Sequence, residues 1–246
     1  MRLGEADLAA AASLLAEPAR AELMLATLAD GPLTASELAA RAGIARSTAS
    51  GHLGRLVAGG FLVVAERGRN RYYEPAGADV AEAVEALSRV APRRPVRSLR
   101  EATRSELLRE ARSCYDHLAG RFGVAFARAL EHRGVVVPAN GDYALGEQAA
   151  PELAALGIDL EALSGQRRPL VRGCLDWSER ELHVAGALGA ALSARLFELG
   201  CVVRRDRTRA LAVTETGRDL LAWLEAPSGR ARRSRSAPTS PAAPSP

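Results

Sequence analysis

Lysine is absent: all 33 basic residues are arginine, a bias shared with alanine and glycine that by itself excludes no function. Cysteine is scarce. Three cysteines, an odd number scattered along 246 residues, argue against a disulfide framework and for a reducing, cytoplasmic setting. No stretch reaches the roughly 18 consecutive apolar residues of a membrane span, and the N-terminus lacks a signal-peptide pattern. No membrane partner is expected. Four histidines and no glycine-rich phosphate loop leave little material for an enzyme. What is plentiful is apolar surface, 48% of the chain, enough for one large domain or two small ones.

The net charge of +4 suggests nucleic acid, but its source is local. The stretch "APSGRARRSRSAPTSPAAPSP" (226–246) carries four arginines and no acid. Setting it aside leaves 29 basic against 29 acidic residues. A case for DNA must therefore rest on where charge is placed. The tail itself, made of Pro, Ser, Ala and Arg, is expected to be disordered.

Along the first third, the spacing predicts helices over residues 5–16 and from Pro18, where a proline suits a first helical turn. In "TASELAARAG", Thr34 and Glu37 have capping-box spacing and Gly43 is a stop. "IARSTASGHLGRLVAGG" reads as a longer helix, and "FLVVAERGRNRYYEP" as strand, turn, strand. A helix at about 78–90 and the boundary "APRRPVR" follow. This is the order of a winged helix-turn-helix. Arg46, Ser47, Thr48 and Ser50 open the longer helix and suit base edges and phosphates in a major groove. Arg67, Arg69 and Arg71 at the hairpin tip suit backbone phosphates or the minor groove.

Residues 8–76 resemble the ArsR/SmtB family of winged-helix regulators, through "EPARAELMLATLADGPLTASELAARAGIARSTASGHLGRLVAGGFL" and "RGRNRYYEP". The resemblance implies a homodimeric repressor that leaves its double-stranded operator when an effector binds. It also brings His52 and Arg55 into the DNA-contacting set. Gly51 and Gly54 depart from the family pattern, each costing up to about 1 kcal/mol of helix propensity and removing a base contact. The family's metal sites require cysteines in "SELAARAG", or Asp with His at the start of "GADVAEAVEAL". Neither set is complete, so a sensor must lie elsewhere.

A repeat appears at a shift of 140 residues: Leu56 matches Leu196, Gly60 matches Gly200, Val63 matches Val203, and Gly77 matches Gly217. Residues 197–217 are therefore expected to form a second wing. Aligning "LAARAG" with "VAGALG" leaves the second copy six residues short where the base-reading edge should be. The expected architecture is mainly α with small β-hairpin wings, as tandem winged-helix domains joined by a long helix. Its parts are a DNA-binding domain over 1–92, connecting or dimerisation helices over 93–134, a degenerate winged-helix regulatory domain over 135–225, and the tail.

Two polar clusters could hold an effector. In "ARSCYDHLAG" a stripe through Leu99, Thr103, Leu107, Ala111, Cys114 and Leu118 predicts a helix. On it His117 neighbours Cys114 while Asp116 points away, which excludes a Cys–His–Asp relay and allows half a metal site. "RRPLVRGCLDWSERELH" adds Cys174 and His183, completing a Cys₂His₂ set suited to zinc or another thiophilic metal. A buried, inert cysteine beside a bonded histidine is the competing interpretation. Arg167, Arg168 and Arg172 could instead hold an anionic organic ligand. "CYDHLAG" and "CLDWSER" also resemble features of a two-winged subgroup of ArsR-like proteins. The expectation is a repressor with an effector site in its second half. The alternatives are a Cys/His-dependent enzyme on a winged-helix scaffold and an effector-independent DNA-binding module.

Overall fold

The computed structural model of the chain describes residues 5–226 except 31, 93, 94, 97, 206 and 207. The tail lies outside the described residues from 227 onward. The described chain is mostly helical with small antiparallel hairpins, as the sequence predicts.

The first unit starts with α1 (Leu8–Leu15) and α2 (Pro18–Asp30), the second opening on its proline. β1 (Leu33–Thr34) is followed by α3 (Ala35–Ala42), which begins in the expected capping box. Thr34 Oγ1 accepts from the Glu37 N–H at 3.3 Å, and Glu37 Oε2 accepts from the Thr34 N–H at 2.8 Å. Gly43 ends the helix at φ +66°, in the left-handed region. Next come α4 (Arg46–Ala58), β2 (Leu62–Arg67), β3 (Asn70–Pro75) and α5 (Ala78–Val90). β2 and β3 form the wing, and β1 adds a third strand by pairing Leu33 with Tyr73. Leu23, Met24, Leu38, Leu53, Leu56 and Leu62 fill the core, all on elements with a legible period.

The second unit has a different plan. After α6 (Leu99–Glu110) come hairpin β4 (Arg112–Cys114) and β5 (His117–Ala119), then α7 (Gly120–His132). A second hairpin, β6 (Val136–Ala139) and β7 (Asp142–Leu145), leads to α8 (Ala149–Ala155) and α9 (Leu160–Ser164). The order then repeats: β8 (Arg172–Leu175), β9 (Leu182–Ala185), α10 (Gly186–Glu198), β10 (Val202–Arg204), β11 (Leu211–Val213), α11 (Glu215–Glu225). Hairpin, helix, hairpin, helix thus occurs twice. The copies exchange partners, since α7 packs on β9 and α10 on β5. One core joins them, with Phe122, Phe126 and Leu130 from the first copy against Val184, Leu188 and Leu192 from the second. Full burial of Leu130 and Leu188 contributes about 1.5–3 kcal/mol each.

Three expectations change here. The helix expected to run through Cys114 and His117 stops at Glu110. Strand pairing takes over the backbone beyond it: the Ser113 N–H donates to the Arg209 carbonyl at 3.0 Å, and the Leu211 N–H to the Ala111 carbonyl at 2.8 Å. Residues 93–134 are therefore not only helices, because they include β4 and β5. Finally, α10 is not shortened; it spans 13 residues, as α4 does. What it lacks is exposure. Gly186, Ala187, Leu188 and Gly189, at the end equivalent to Arg46–Ala49, are buried.

Candidate metal centre and nucleic-acid interface

Arg46, Ser47, Thr48, Ser50 and Arg55 are exposed on α4, while Ala49, Leu53 and Leu56 face the core. His52 is half-buried, and the Ser50 hydroxyl donates back to the Arg46 carbonyl at 3.0 Å. Arg67, Arg69 and Arg71 are exposed around the wing turn, where Gly68 has φ +61°. The Arg67 guanidinium lies 5.6 Å from the centre of the Tyr72 ring. Ala45 supplies no side-chain cap to α4, so polar groups at that end face outward. Of the corresponding arginines in the second unit, Arg209 is paired with Glu85 of α5, which is 4% exposed. It is not free for phosphate.

The two short hairpins meet at four side chains. Cys114 and His117 are cross-strand partners on β4 and β5, and Cys174 and His183 hold the same relation on β8 and β9. Their donor atoms all lie within 4.8 Å of one another, and all four residues are buried. The Cys114 and Cys174 sulfurs are 4.0 Å apart, and the histidine ring centres are 5.1 Å apart. Two sulfurs on one tetrahedral zinc, each at about 2.3 Å, would stand roughly 3.8 Å apart. Nε2 of both histidines is buried without a hydrogen-bond partner. Four soft or borderline donors converging in a buried site, two of them orphaned, fit a thiophilic ion. Two thiolates and two neutral imidazoles would balance a divalent charge.

Asp116 overturns one expectation. In the two-residue turn Tyr115–Asp116 its carboxylate sits 3.2 Å from His117 Nδ1. On a helix it would have pointed away. Asp176 occupies the matching place beside His183, with Oδ2 3.4 Å from Nδ1. His117 is thus held through Nδ1 by a carboxylate, the arrangement that orients metal-binding imidazoles, whereas Nδ1 of His183 makes no hydrogen bond to Asp176. Asp176 is fully buried; it accepts from Arg112 Nη2 at 2.9 Å and from the Gly120 N–H at 2.7 Å. Burial opposes its charge, but Arg112 and these donors hold its carboxyl well below the usual range. Its other oxygen closes a turn, accepting from the Ser178 and Glu179 N–H groups.

Burial pushes the His183 imidazole down and works against the charge of His117, whose pKa Asp116 and the Cys174 sulfur nevertheless raise. The two thiols behave as one acid. The hydrogen bond from Cys114 pulls Cys174 below the ordinary thiol range, and holding that proton raises Cys114. A lowered cysteine among two imidazoles is ready to ligate. Cys201 lies apart in the core.

The candidate anion-binding arginines are largely committed elsewhere. Arg168 pairs with Asp116 and Arg172 with Glu82, leaving Arg167 exposed. The cavity beside them, lined by Cys114, His117 and Cys174, has a volume of about 10 Å³. That is room for one water or one ion, and not for an organic acid.

A capped supporting helix, an exposed second helix and an arginine-tipped wing define a DNA-binding transcriptional regulator. Residues 15–65 match the helix-turn-helix domain family. The chain is 40% identical over 213 residues to the HTH-type transcriptional regulator YdfF of Bacillus subtilis (strain 168), covering 86% of this chain and 94% of that one. It belongs to the helix-turn-helix transcriptional regulators. Among solved structures, the cadmium sensor CMTR of Mycobacterium tuberculosis is 32% identical over 37% of this chain and 99% of its own, with a TM-score of 0.31. The homodimeric winged helix-turn-helix domain Mb0332 of Mycobacterium bovis is 28% identical over 35% and 86%, also with a TM-score of 0.31.

Proposed function

We propose that this regulator is a homodimeric repressor that reads double-stranded operator DNA with α4 and the β2–β3 wing, and that its effector is a thiophilic metal ion, zinc fitting best. The buried Cys₂His₂ set carries the effector reading: the cysteines also pack with Ala119 and Ala185, but packing does not require four donors to converge with both Nε2 atoms unpaired. Cys114, His117, Cys174 and His183 would hold the ion, which would supply neutralising charge at the site. For DNA, Arg46, Ser47, Thr48 and Ser50 would enter the major groove. Arg55, His52, Arg67, Arg69 and Arg71 would take phosphates and groove edges. For the dimer, α6 has no buried residue, and Leu8 of α1, Val90 of α5 and Leu99 of α6 are about 80% exposed, apolar side chains that a second copy would cover.

Against the enzyme alternative, Cys114, His117 and Cys174 line a cavity of about 10 Å³, too small for an organic substrate. Footprinting on DNA selected by the unaltered chain tests the reader: R46A/S47A loses the footprint while sedimentation still shows a dimer. Footprints that survive would assign recognition to another surface. Metal content of protein purified without chelator tests the centre. The expected result is one zinc per chain, lost in C114S/C174S; metal-free protein refutes it.

A further inference from the structure

We propose that the state of the Cys/His centre is transmitted to the DNA reader through α5, with Tyr115 as the positioning residue of that contact. This rests on the metal reading above. Residues beside the ligands touch α5 along one stripe. Arg172, two positions before Cys174, pairs with Glu82. Arg209, whose carbonyl accepts from the N–H of Ser113 next to Cys114, pairs with the buried Glu85. Arg89 Nη1 lies 3.5 Å from the carbonyl of Leu175, the residue after Cys174. Positions 82, 85 and 89 fall on one face of the helix.

Tyr115 adds the apolar part of the contact. It stands in the turn directly between Cys114 and His117, with φ +58°, a region that disfavours a bulky side chain. Glycine would make this turn without strain. The ring instead packs against the core of the first unit and lines the small cavity with Ala78 and Ala81 of α5. Strain held in place by a contact with another unit marks a residue kept for that contact.

With all four ligands satisfied, the Cys114–His117 pair fixes the tip that carries Tyr115. With them unsatisfied, two orphaned imidazoles and two thiols share a buried site, and the hairpins gain freedom to part. α5 packs on β3, so a shift of α5 is a shift of the wing. Coupling of this kind requires α5 to have two arrangements, one favoured by the loaded centre and one by the empty one.

The test uses the full chain, zinc-loaded and chelator-stripped, on DNA selected by the unaltered chain. Loading is expected to change affinity by about 5- to 150-fold, the usual range of such coupling. Y115G suits the turn and keeps the ligands, so zinc content and the cobalt(II)–thiolate absorption should match the unaltered chain while the affinity change disappears. Y115F should restore it, and E82Q should reduce it. A Y115G chain that keeps the full change overturns the proposal while the metal reading stands. An unaltered chain that binds no zinc overturns both. Zinc bound with no change in affinity makes the ion structural and overturns the coupling with the effector role.

Discussion

Gly189 shows how narrowly the centre is built. A Cβ there would lie 2.5 Å from the Val184 carbonyl oxygen and 3.2 Å from the Cβ of His117. Only a residue without a side chain lets α10 approach both hairpins. G189A should therefore destabilise the second unit by about 1–3 kcal/mol, the usual range for overpacking, and displace a ligand. Chemical denaturation together with zinc content checks both; unchanged values would mean that the helix shifts freely. Asp176 is the other exposed weakness. D176A leaves Arg112 buried beside no countercharge, and breaking such a pair costs about 3–5 kcal/mol. At this scale the four candidate donors were legible, because cysteine and histidine at 114, 117, 174 and 183 are the residue types zinc prefers. Their geometry was not. The apolar stripe from Leu99 has a true helical period, but the pairing of Ser113 with Arg209 across 96 positions overrides it beyond Glu110, and nothing local in the sequence signals that.

Among the elements, α4 carries an oddity that packing does not explain. Gly51 and Gly54 are exposed, and a Cβ at either meets nothing within 4 Å. Alanine at each should stabilise the first unit by about 0.5–1 kcal/mol. If operator affinity falls at the same time, the glycines are there for close approach of backbone to DNA; melting curves and binding isotherms on the same variants separate the two. The cap of α3 has a pH signature. The Thr34 N–H and hydroxyl hold the Glu37 carboxyl below its ordinary value. Its contribution is therefore complete above the unfolded value and is lost as pH falls through the lower folded one. E37Q should flatten that dependence in acid unfolding curves. The first unit was readable because caps, stops and periods all agree. The second hid its first copy, although "NG" at 140–141 is a hairpin signal and Gly120, Gly123, Leu130 and Gly134 recur at Gly186, Gly189, Leu196 and Gly200. A repeat sought only against the DNA reader, at a shift of 140, passes over the one at 66. The same alignment suggested that the second base-reading edge was lost by deletion, whereas α10 keeps its length and buries that end.

For the whole molecule, the two units meet where α2 packs on β4 and through the ion pairs of α5 with Arg172 and Arg209. Stripping metal should lower the melting temperature of the second unit while the first keeps its far-ultraviolet signal, since none of the four ligands lies on α1–α5. Deleting residues 226–246 should weaken DNA binding modestly and flatten its salt dependence by about one unit of slope per lost phosphate contact. A complete loss of binding would make the tail a principal contact.

The exchange of partners between the hairpin copies has one more consequence. A single copy contributes one cysteine and one histidine, half of a coordination sphere. Had the halves been on separate chains, capture of the ion would depend on protein concentration and fade on dilution. Here they share one polypeptide and one core, so each half sees the other at a fixed, high effective concentration. Occupancy of the centre by a metal should then not depend on protein concentration, and should be the same in a concentrated preparation as at the few copies per cell at which a regulator works.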